Sequence, residues 1–345
     1  MTQKTKTILV TGGLGFIGSH TALELVEQGY EVVIVDNLYN SYPESETNIR
    51  RLLTPEQNLR LHVNFLDLCD KNALSIIFRN YQISQVIHFA AYKAVGESCA
   101  EPIKYYRNNL ITTLSLVETM LEHNCYDLVY SSSMTVYGDT QEPPHAEDSI
   151  VYGVVSNPYA QTKVFNEIIL KDITNTAKLR VITLRYANPV AAHPSGKLGE
   201  VYRKPLNVFP AIYDTYLGKQ PILKLFGDQY PTKDGTCERD YIHIMDLVEG
   251  HILTLNYFDQ HPELKFESFN LCSGTPYSVK EIVQAFNEVS DRFIQTEIVE
   301  PRPGDLATNY ACPKKAQRLL GFTTKRDLKQ MCIDSVRYLQ YLTQK

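Results

Sequence analysis

The chain is predicted to be an α/β protein, a Rossmann-like doubly wound parallel sheet followed by a smaller C-terminal α/β substrate domain. Three features of the sequence predict this. Short, fully apolar runs alternate with segments of helical period through the first half. A glycine-rich turn joins the first run to the first helix. After Tyr186 the alternation gives way to irregular segments, richer in Pro and Gly, with shorter helices.

In chain order, residues 8–11 read as a buried strand. Residues 15–28 place Ile17, Ala22, Leu25 and Val26 along one helical side and stop at Gly29. Strands follow at 31–36 and 59–65, a helix at 70–81, and a strand at 85–90. A long helix is expected over 102–123, with Pro102 where a missing N–H is harmless. A strand at 127–132, a helix at 158–174 and a strand at 179–185 complete the series. Strands this apolar belong to a parallel sheet covered on both faces. Beyond residue 186, helices are expected at 208–217 and 279–289. The domains are drawn at 1–186 and 187–345, with a cleft between them and some later segments returning to the first.

Composition narrows the function. The chain has 345 residues, a formal charge of −5 and 43% apolar residues. That is ordinary for a globular protein and leaves no basic footprint for nucleic acid. No apolar run reaches membrane-spanning length, and no signal-peptide pattern precedes Ile8. The seven cysteines are scattered, with no C-x-x-C pair. They read as reduced thiols in a cytoplasmic enzyme, and no metal site is expected.

Gly12, Gly15 and Gly18 form a G-x-x-G-x-x-G run between the first strand and the first helix. Gly12 permits the tight turn, Gly15 lets backbone approach a pyrophosphate, and Gly18 allows close helix–sheet packing. Phe16 and Ile17 open the helix, whose free N–H groups and positive dipole end suit phosphate. Asp36 closes the second strand, 18 residues past Gly18. An acid there suits the adenosine ribose hydroxyls and repels a 2′-phosphate, so NAD is favoured over NADP.

With 23 tyrosines, Y-x-x-x-K pairs arise by chance, and three occur: Tyr159/Lys163, Tyr310/Lys314 and Tyr341/Lys345. Pro313 interrupts the second, and the third ends the chain. Tyr159 sits at a helix start, 26 residues after the serine run 131–133. Positions i and i+4 share a helix face, so Lys163 faces the same side as Tyr159. A neighbouring ammonium and the positive nicotinamide ring are expected to favour phenolate at Tyr159, making it a base for a sugar hydroxyl. Ser133 would hydrogen-bond that oxygen or relay its proton.

The spacing of the glycine turn is similar to that of the extended short-chain dehydrogenase/reductases. Within them the chain resembles the UDP-glucose 4-epimerase family over nearly its whole length. The resemblance is carried by VTGGLGFIGSH at 10–20, VDNLYNS at 35–41, HFAAYKAVGES at 88–98, YYRNN at 105–109, SSSMTVYGD at 131–139, NPYAQTK at 157–163, LRYANPVAAHPSG at 184–196, GTCERDYIHIMDL at 235–247 and PRPGDLA at 301–307. It implies that Asp36, Asn37, Asp67 and Leu68 contact the adenosine half of NAD. Lys93 and Asn108 would lie near its diphosphate and ribose, and Phe89, Ala90, Ser131 and Tyr186 would complete the set. Asn188, Asn207, Arg239 and Arg302 would hold the UDP moiety, with Phe226 beside uracil and Asp305 on a ribose hydroxyl or orienting an arginine. Lys93, Ser133 and Tyr159 would also face the sugar. The implied activity is 4-epimerisation of a UDP-hexose, within galactose metabolism, by transient oxidation at C4. The implied assembly is a homodimer through the helices at 102–123 and 158–174.

Several positions depart from the family pattern. Ala187 stands where a Phe is expected, Ala191 where a Gly is, Leu206 where the first of two Asn is, and Met134 where a small residue is. Asn309 occupies a wall position whose bulk varies in the family. These changes suggest a widened sugar range that includes UDP-N-acetylhexosamines. Two other readings compete with this one. A nucleotide-sugar 4,6-dehydratase needs an acid pair after the serine, where this chain has Met134-Thr135. A non-catalytic NAD-bound protein would allow the drift at 187, 191 and 206, but Ser133, Tyr159, Lys163 and both arginines are all kept.

Overall fold

The computed structural model describes residues 6–138, 142–149, 155–302 and 304–344. Asp139, Pro303 and Lys345, quoted above within motifs, lie outside the described residues. Contacts divide the chain into two compact units. One comprises Met1–Gly138, Ile150–Arg185 and Val248–Phe269; the other comprises Asp139–Ser149, Tyr186–Leu247 and Asn270–Lys345. Val248–Phe269 thus returns to the first unit from beyond residue 186.

The first unit is built on β1 (Thr7–Thr11), α1 (Phe16–Glu27), β2 (Glu31–Asp36), α2 (Pro43–Leu52), α3 (Pro55–Asn58), β3 (Leu61–Phe65), α4 (Lys71–Asn80), β4 (Ile83–His88), α5 (Val95–Ala100), α6 (Pro102–Glu122), β5 (Asp127–Ser133), α7 (Pro158–Thr176) and β6 (Arg180–Tyr186). A 3-10 turn, Met134–Tyr137, follows β5. Among the described residues the sheet has seven strands, in the order β10 (Phe266–Leu271), β6, β5, β4, β1, β2, β3. Strands β3, β2, β1, β4 and β5 pair in parallel. Strand order reverses at β1, flanked by β2 on one side and β4 on the other. The mouth of β1 is thus the switch point at which doubly wound sheets bind ligands. Ile8, Leu9 and Val10 are fully buried, as are Val32 to Val35. Each such side chain contributes about 1.5–3 kcal/mol of burial.

Three expectations move. The strand foreseen at 59–65 starts at Leu61, because Pro55–Asn58 closes into a short helix under a Thr54–Gln57 capping box. The strand foreseen at 85–90 runs from Ile83 to His88. Residues 89–90 leave the ladder as Ala90 comes up against the glycine turn. The seventh strand, β10 (Phe266–Leu271), comes from the second half of the chain, which had been read as irregular.

The second unit holds β7 (Asn188–Val190), α8 (Val208–Tyr216), β8 (Leu223–Phe226), β9 (Glu238–His243), β11 (Pro276–Ser278), α10 (Val279–Val289), β12 (Thr296–Val299), β13 (Thr308–Asn309), α11 (Lys314–Leu320) and α12 (Leu328–Thr343). Helix α9 (Ile244–Gln260) begins in it and ends in the first unit. β9 carries β11, β13 and β7, and β12 pairs with β8. The apolar faces of α8, α10 and α12 meet in one core around Phe209, Ile212, Phe286, Met331 and Leu339. Ala191, just after β7, sits at φ +73°, the left-handed region in which glycine is at ease. Among the described residues no helix is long and apolar enough to cross a membrane.

Candidate active site

The glycine turn takes its shape from packing. A Cβ on Gly18 would lie 2.3 Å from the Gly12 carbonyl oxygen. Gly12 sits at φ +66° with Ala90 N only 2.8 Å from where its Cβ would be. At Gly15 the nearest protein atom would be 3.3 Å away, the mildest contact in the turn, which leaves room for a ligand. α1 starts at Gly15 with no side-chain cap and no acid in its first turn. Its N–H groups and dipole are therefore uncompensated by its own side chains, as a phosphate site requires.

Asp36 is buried at the end of β2. Oδ2 accepts from Leu14 N (3.0 Å), and Oδ1 accepts from Leu38 N (2.9 Å) and Ser41 Oγ (2.6 Å). The carboxylate thus pins the loop after β2 to the glycine turn. Two oxygens offer about four acceptor sites, so one remains for a ribose hydroxyl. Asn37 Nδ2 reaches Asp67 Oδ2 (3.0 Å), Leu68 is buried, and Asp67 also caps Cys69 N (2.8 Å). On the other flank of β1, Phe89 packs on His251 at 4.9 Å and Asn108 donates to Asn109 (3.0 Å). Lys93, on the loop after β4, is exposed. Together the glycine turn, the uncapped helix and Asp36 fit a dinucleotide.

Ser133, Tyr159 and Lys163 come together in this unit. Asn157 caps α7 by accepting from Ala160 N (2.9 Å), and Pro158 follows at the first helical position. Tyr159 therefore stands in the first turn and Lys163 one turn on. Lys163 Nζ donates to the Ser131 carbonyl (2.5 Å), 4.9 Å from the Tyr130 ring centre and 5.9 Å from that of Tyr159. Ser133 caps the turn after β5, its Oγ accepting from Thr135 N (3.2 Å), which leaves its O–H to donate.

The expected lowering of the phenol is not found in the chain alone. Burial pushes Tyr159 up to about 12, opposed only by the Ser133 hydroxyl. Burial also pushes Lys163 down to about 7, with Glu167 opposing. Each charged form loses its hydration, and the two groups meet at ring distance rather than in a direct hydrogen bond. Beneath them His88 is held near 3 by burial and by the Lys163 charge. It stays neutral between Thr11 Oγ1 (2.7 Å) and Thr113 Oγ1 (3.2 Å).

The second unit gathers the residues expected on the nucleotide. The Arg302 guanidinium lies over the Phe226 ring at 3.8 Å, because the loop after β12 leaves beside the end of β8. Arg239 is 3.9 Å from Asp305 and donates to Glu238 O (2.8 Å). Asn188 Nδ2 is taken by Asp240 O (3.0 Å). Asn207 precedes α8, but its amide makes no capping bond. Leu206 beside it is 47% exposed, whereas Ala187 is buried. Tyr186, at the end of β6, is buried as well.

Sequence reasoning missed Leu14 and Ser41 as partners of Asp36, the His88 pair of threonines, and Glu167. Only Glu167 carried a signal, since it lies four residues beyond Lys163 on the same helix face.

A family model described as GDP-mannose 4,6 dehydratase matches residues 9–335. The UDP-glucose 4-epimerase of Bacillus subtilis (strain 168) is 45% identical over 333 residues, covering 96% of each chain. The crystal structure of UDP-glucose-4-epimerase from Stenotrophomonas maltophila, with bound NAD and formylated UDP-arabinopyranose, is similar with a TM-score of 0.93. It is 36% identical, and the match covers 98% of this chain and 99% of that one. The enzyme from Bifidobacterium longum, in complex with NAD+ and UDP, gives a TM-score of 0.90 at 38% identity, covering 97% and 98%. The fold and the Ser133–Tyr159–Lys163 cluster define an extended short-chain dehydrogenase/reductase. Within that class, the chain belongs to the family of the UDP-glucose 4-epimerases.

Proposed function

We propose that this protein epimerises UDP-hexoses at C4, interconverting UDP-glucose and UDP-galactose, with NAD resident and regenerated in each cycle. The observation that carries the reading is the meeting of Ser133, Tyr159 and Lys163 in the unit that holds the glycine turn and Asp36. When bound, NAD supplies a reversible hydride acceptor and a positive ring that favours phenolate. Tyr159 takes the proton from sugar O4 and later returns it. Ser133 donates its hydroxyl hydrogen to the same oxygen. Lys163, tied to Ser131 O, holds a donor and a charge beside the phenol. Asp36 accepts a ribose hydroxyl at its remaining acceptor site and disfavours a 2′-phosphate.

Arg239 and Arg302 supply charge-assisted donors for a diphosphate, with Asn188, Asn207, Phe226 and Asp305 completing the nucleotide grip. A firm hold on UDP with few contacts to the hexose lets the oxidised sugar turn over while its anchor stays. The small, buried Ala187 supports acceptance of UDP-N-acetylhexosamines as well. Met134-Thr135 gives no acid pair for dehydration.

Exposed Ile103, Ile111 and Leu114 on α6 and Phe165 on α7 support a homodimer through these helices. The seven free thiols support a reducing, cytoplasmic setting. The test is to incubate the protein with UDP-galactose and catalytic NAD and to separate the products. UDP-glucose should form without accumulation of reduced cofactor. Folded, NAD-bound protein that yields none overturns the reading in favour of a non-catalytic NAD-binding role.

A further inference from the structure

Beneath the Ser–Tyr–Lys cluster lies a buried ion pair that proton transfer does not use. Glu167 and Arg185 are each 5% exposed at the side chain, joined through Arg185 Nη2 to Oε2 (2.7 Å) and Nε to Oε1 (3.1 Å). Oε1 also accepts from Ser132 Oγ (2.5 Å). Arg185 Nη1 donates to Tyr137 OH (3.0 Å), and the guanidinium lies 5.0 Å from that ring's centre. One carboxylate therefore ties together α7, the end of β5, β6 and the turn after β5.

The position of this carboxylate gives it more than a packing role. Ser132 stands between Ser131, whose carbonyl holds Lys163, and Ser133, the proposed donor to the sugar oxygen. Its hydroxyl fixes the strand end from which both work. Glu167 lies one helical turn beyond Lys163, as Lys163 lies one turn beyond Tyr159. A buried ion pair is weak evidence for stability, because desolvation offsets its attraction.

We propose that Glu167 is a positioning residue of this site, locking the Ser131–Ser133 strand end against α7 and placing a negative charge one helical turn from Lys163. The inference rests on the proposed catalytic roles of Ser133, Tyr159 and Lys163. The titratable and charged groups around Lys163 are His88 on β4, Tyr130 on β5, Tyr159 and Glu167 on α7, and Arg185 on β6, which reaches it through Glu167. His88 stays neutral. Glu167 is therefore the anion in the set. Without it, the Arg185 charge is left uncompensated beside a lysine already depressed by burial.

The test uses Glu167→Gln, which keeps the shape and one acceptor for Ser132, and Ser132→Ala, which keeps the ion pair. Two measurements are made on each. One is the pH profile of UDP-galactose turnover by the NAD-loaded enzyme. The other is the titration of Lys163 in the cofactor-free protein, followed by NMR of isotope-labelled lysine and assigned by the signal missing from Lys163→Met. Glu167→Gln should move the Lys163 titration and the matching kinetic limb downward by about one pH unit or more. Ser132→Ala should lower kcat several-fold, with KM and the pH profile unmoved.

An unmoved Lys163 titration in Glu167→Gln, or a loss of activity equal at every pH, overturns the proposal and leaves Glu167 structural. If Glu167→Gln does not fold, Ser132→Ala decides, and wild-type kcat in that variant overturns the positioning role. If wild type does not turn over UDP-sugar, the functional reading fails, while the NMR titration still reports on Glu167.

Discussion

Lys163 is buried where water cannot support its charge, so replacing it should stabilise the fold while destroying activity. Burial lowers its pKa from the usual 10.5 to about 7 on folding. Between those values the unfolded chain binds more protons than the folded one, so stability rises with pH across that window. Below it the penalty is complete. At 1.36 kcal/mol per unit, the shift corresponds to about 4 kcal/mol at pH 7. Lys163→Met removes this penalty and leaves the Ser131 carbonyl without its donor, a loss of about 1–3 kcal/mol. The net gain is about 1–3 kcal/mol at pH 7. It should shrink as pH rises toward 10.5, where the unfolded lysine begins to lose its proton as well. Urea denaturation of cofactor-free wild type and Lys163→Met at pH 7 and pH 9.5 reads both numbers. A variant less stable than wild type at pH 7, or an advantage unchanged at pH 9.5, would refute the reasoning.

Other expectations follow from single contacts. Asp36→Ala strips the acceptor from Leu14 N, Leu38 N and Ser41 Oγ, so it should lose about 1–3 kcal/mol of stability and weaken NAD binding. Fluorescence titration should then show NADP no longer disfavoured relative to NAD. Arg302→Ala removes the guanidinium from over Phe226 and should raise KM for UDP-sugars while leaving kcat nearly unchanged, the signature of lost uniform binding. Turnover of UDP-N-acetylglucosamine should be measurable in wild type and lost in Ala187→Phe, with UDP-galactose still converted. Absence of that turnover in wild type would remove the widened sugar range.

The first unit was legible because its elements answer to local rules. The helix at 158 begins at an Asn-Pro cap, and the strand at 31–36 is an unbroken apolar run ending in the acid that grips the glycine turn. The second half was harder to read. Its strands are as short as Thr308–Asn309, and β10 joins the first sheet from a distant part of the sequence. Such pairings are tertiary and leave no local period. At the site, residue identity was readable from motif and spacing, but protonation was not. The lysine beside the phenol does not lower it in the chain alone, because burial raises Tyr159 and depresses Lys163. The Arg302–Phe226 stack was also hidden, since the residues are 76 apart and meet only through the β8–β12 pairing.

The central claim is that hydrogen leaves C4 and returns to the same carbon while Tyr159 handles the O4 proton. UDP-galactose carrying deuterium at C4 tests this directly when converted in ordinary water and analysed by NMR. The account predicts UDP-glucose with the deuterium retained at C4, and no conversion by Tyr159→Phe that still binds NAD. Deuterium lost to solvent, or conversion by Tyr159→Phe at the wild-type rate, would contradict it.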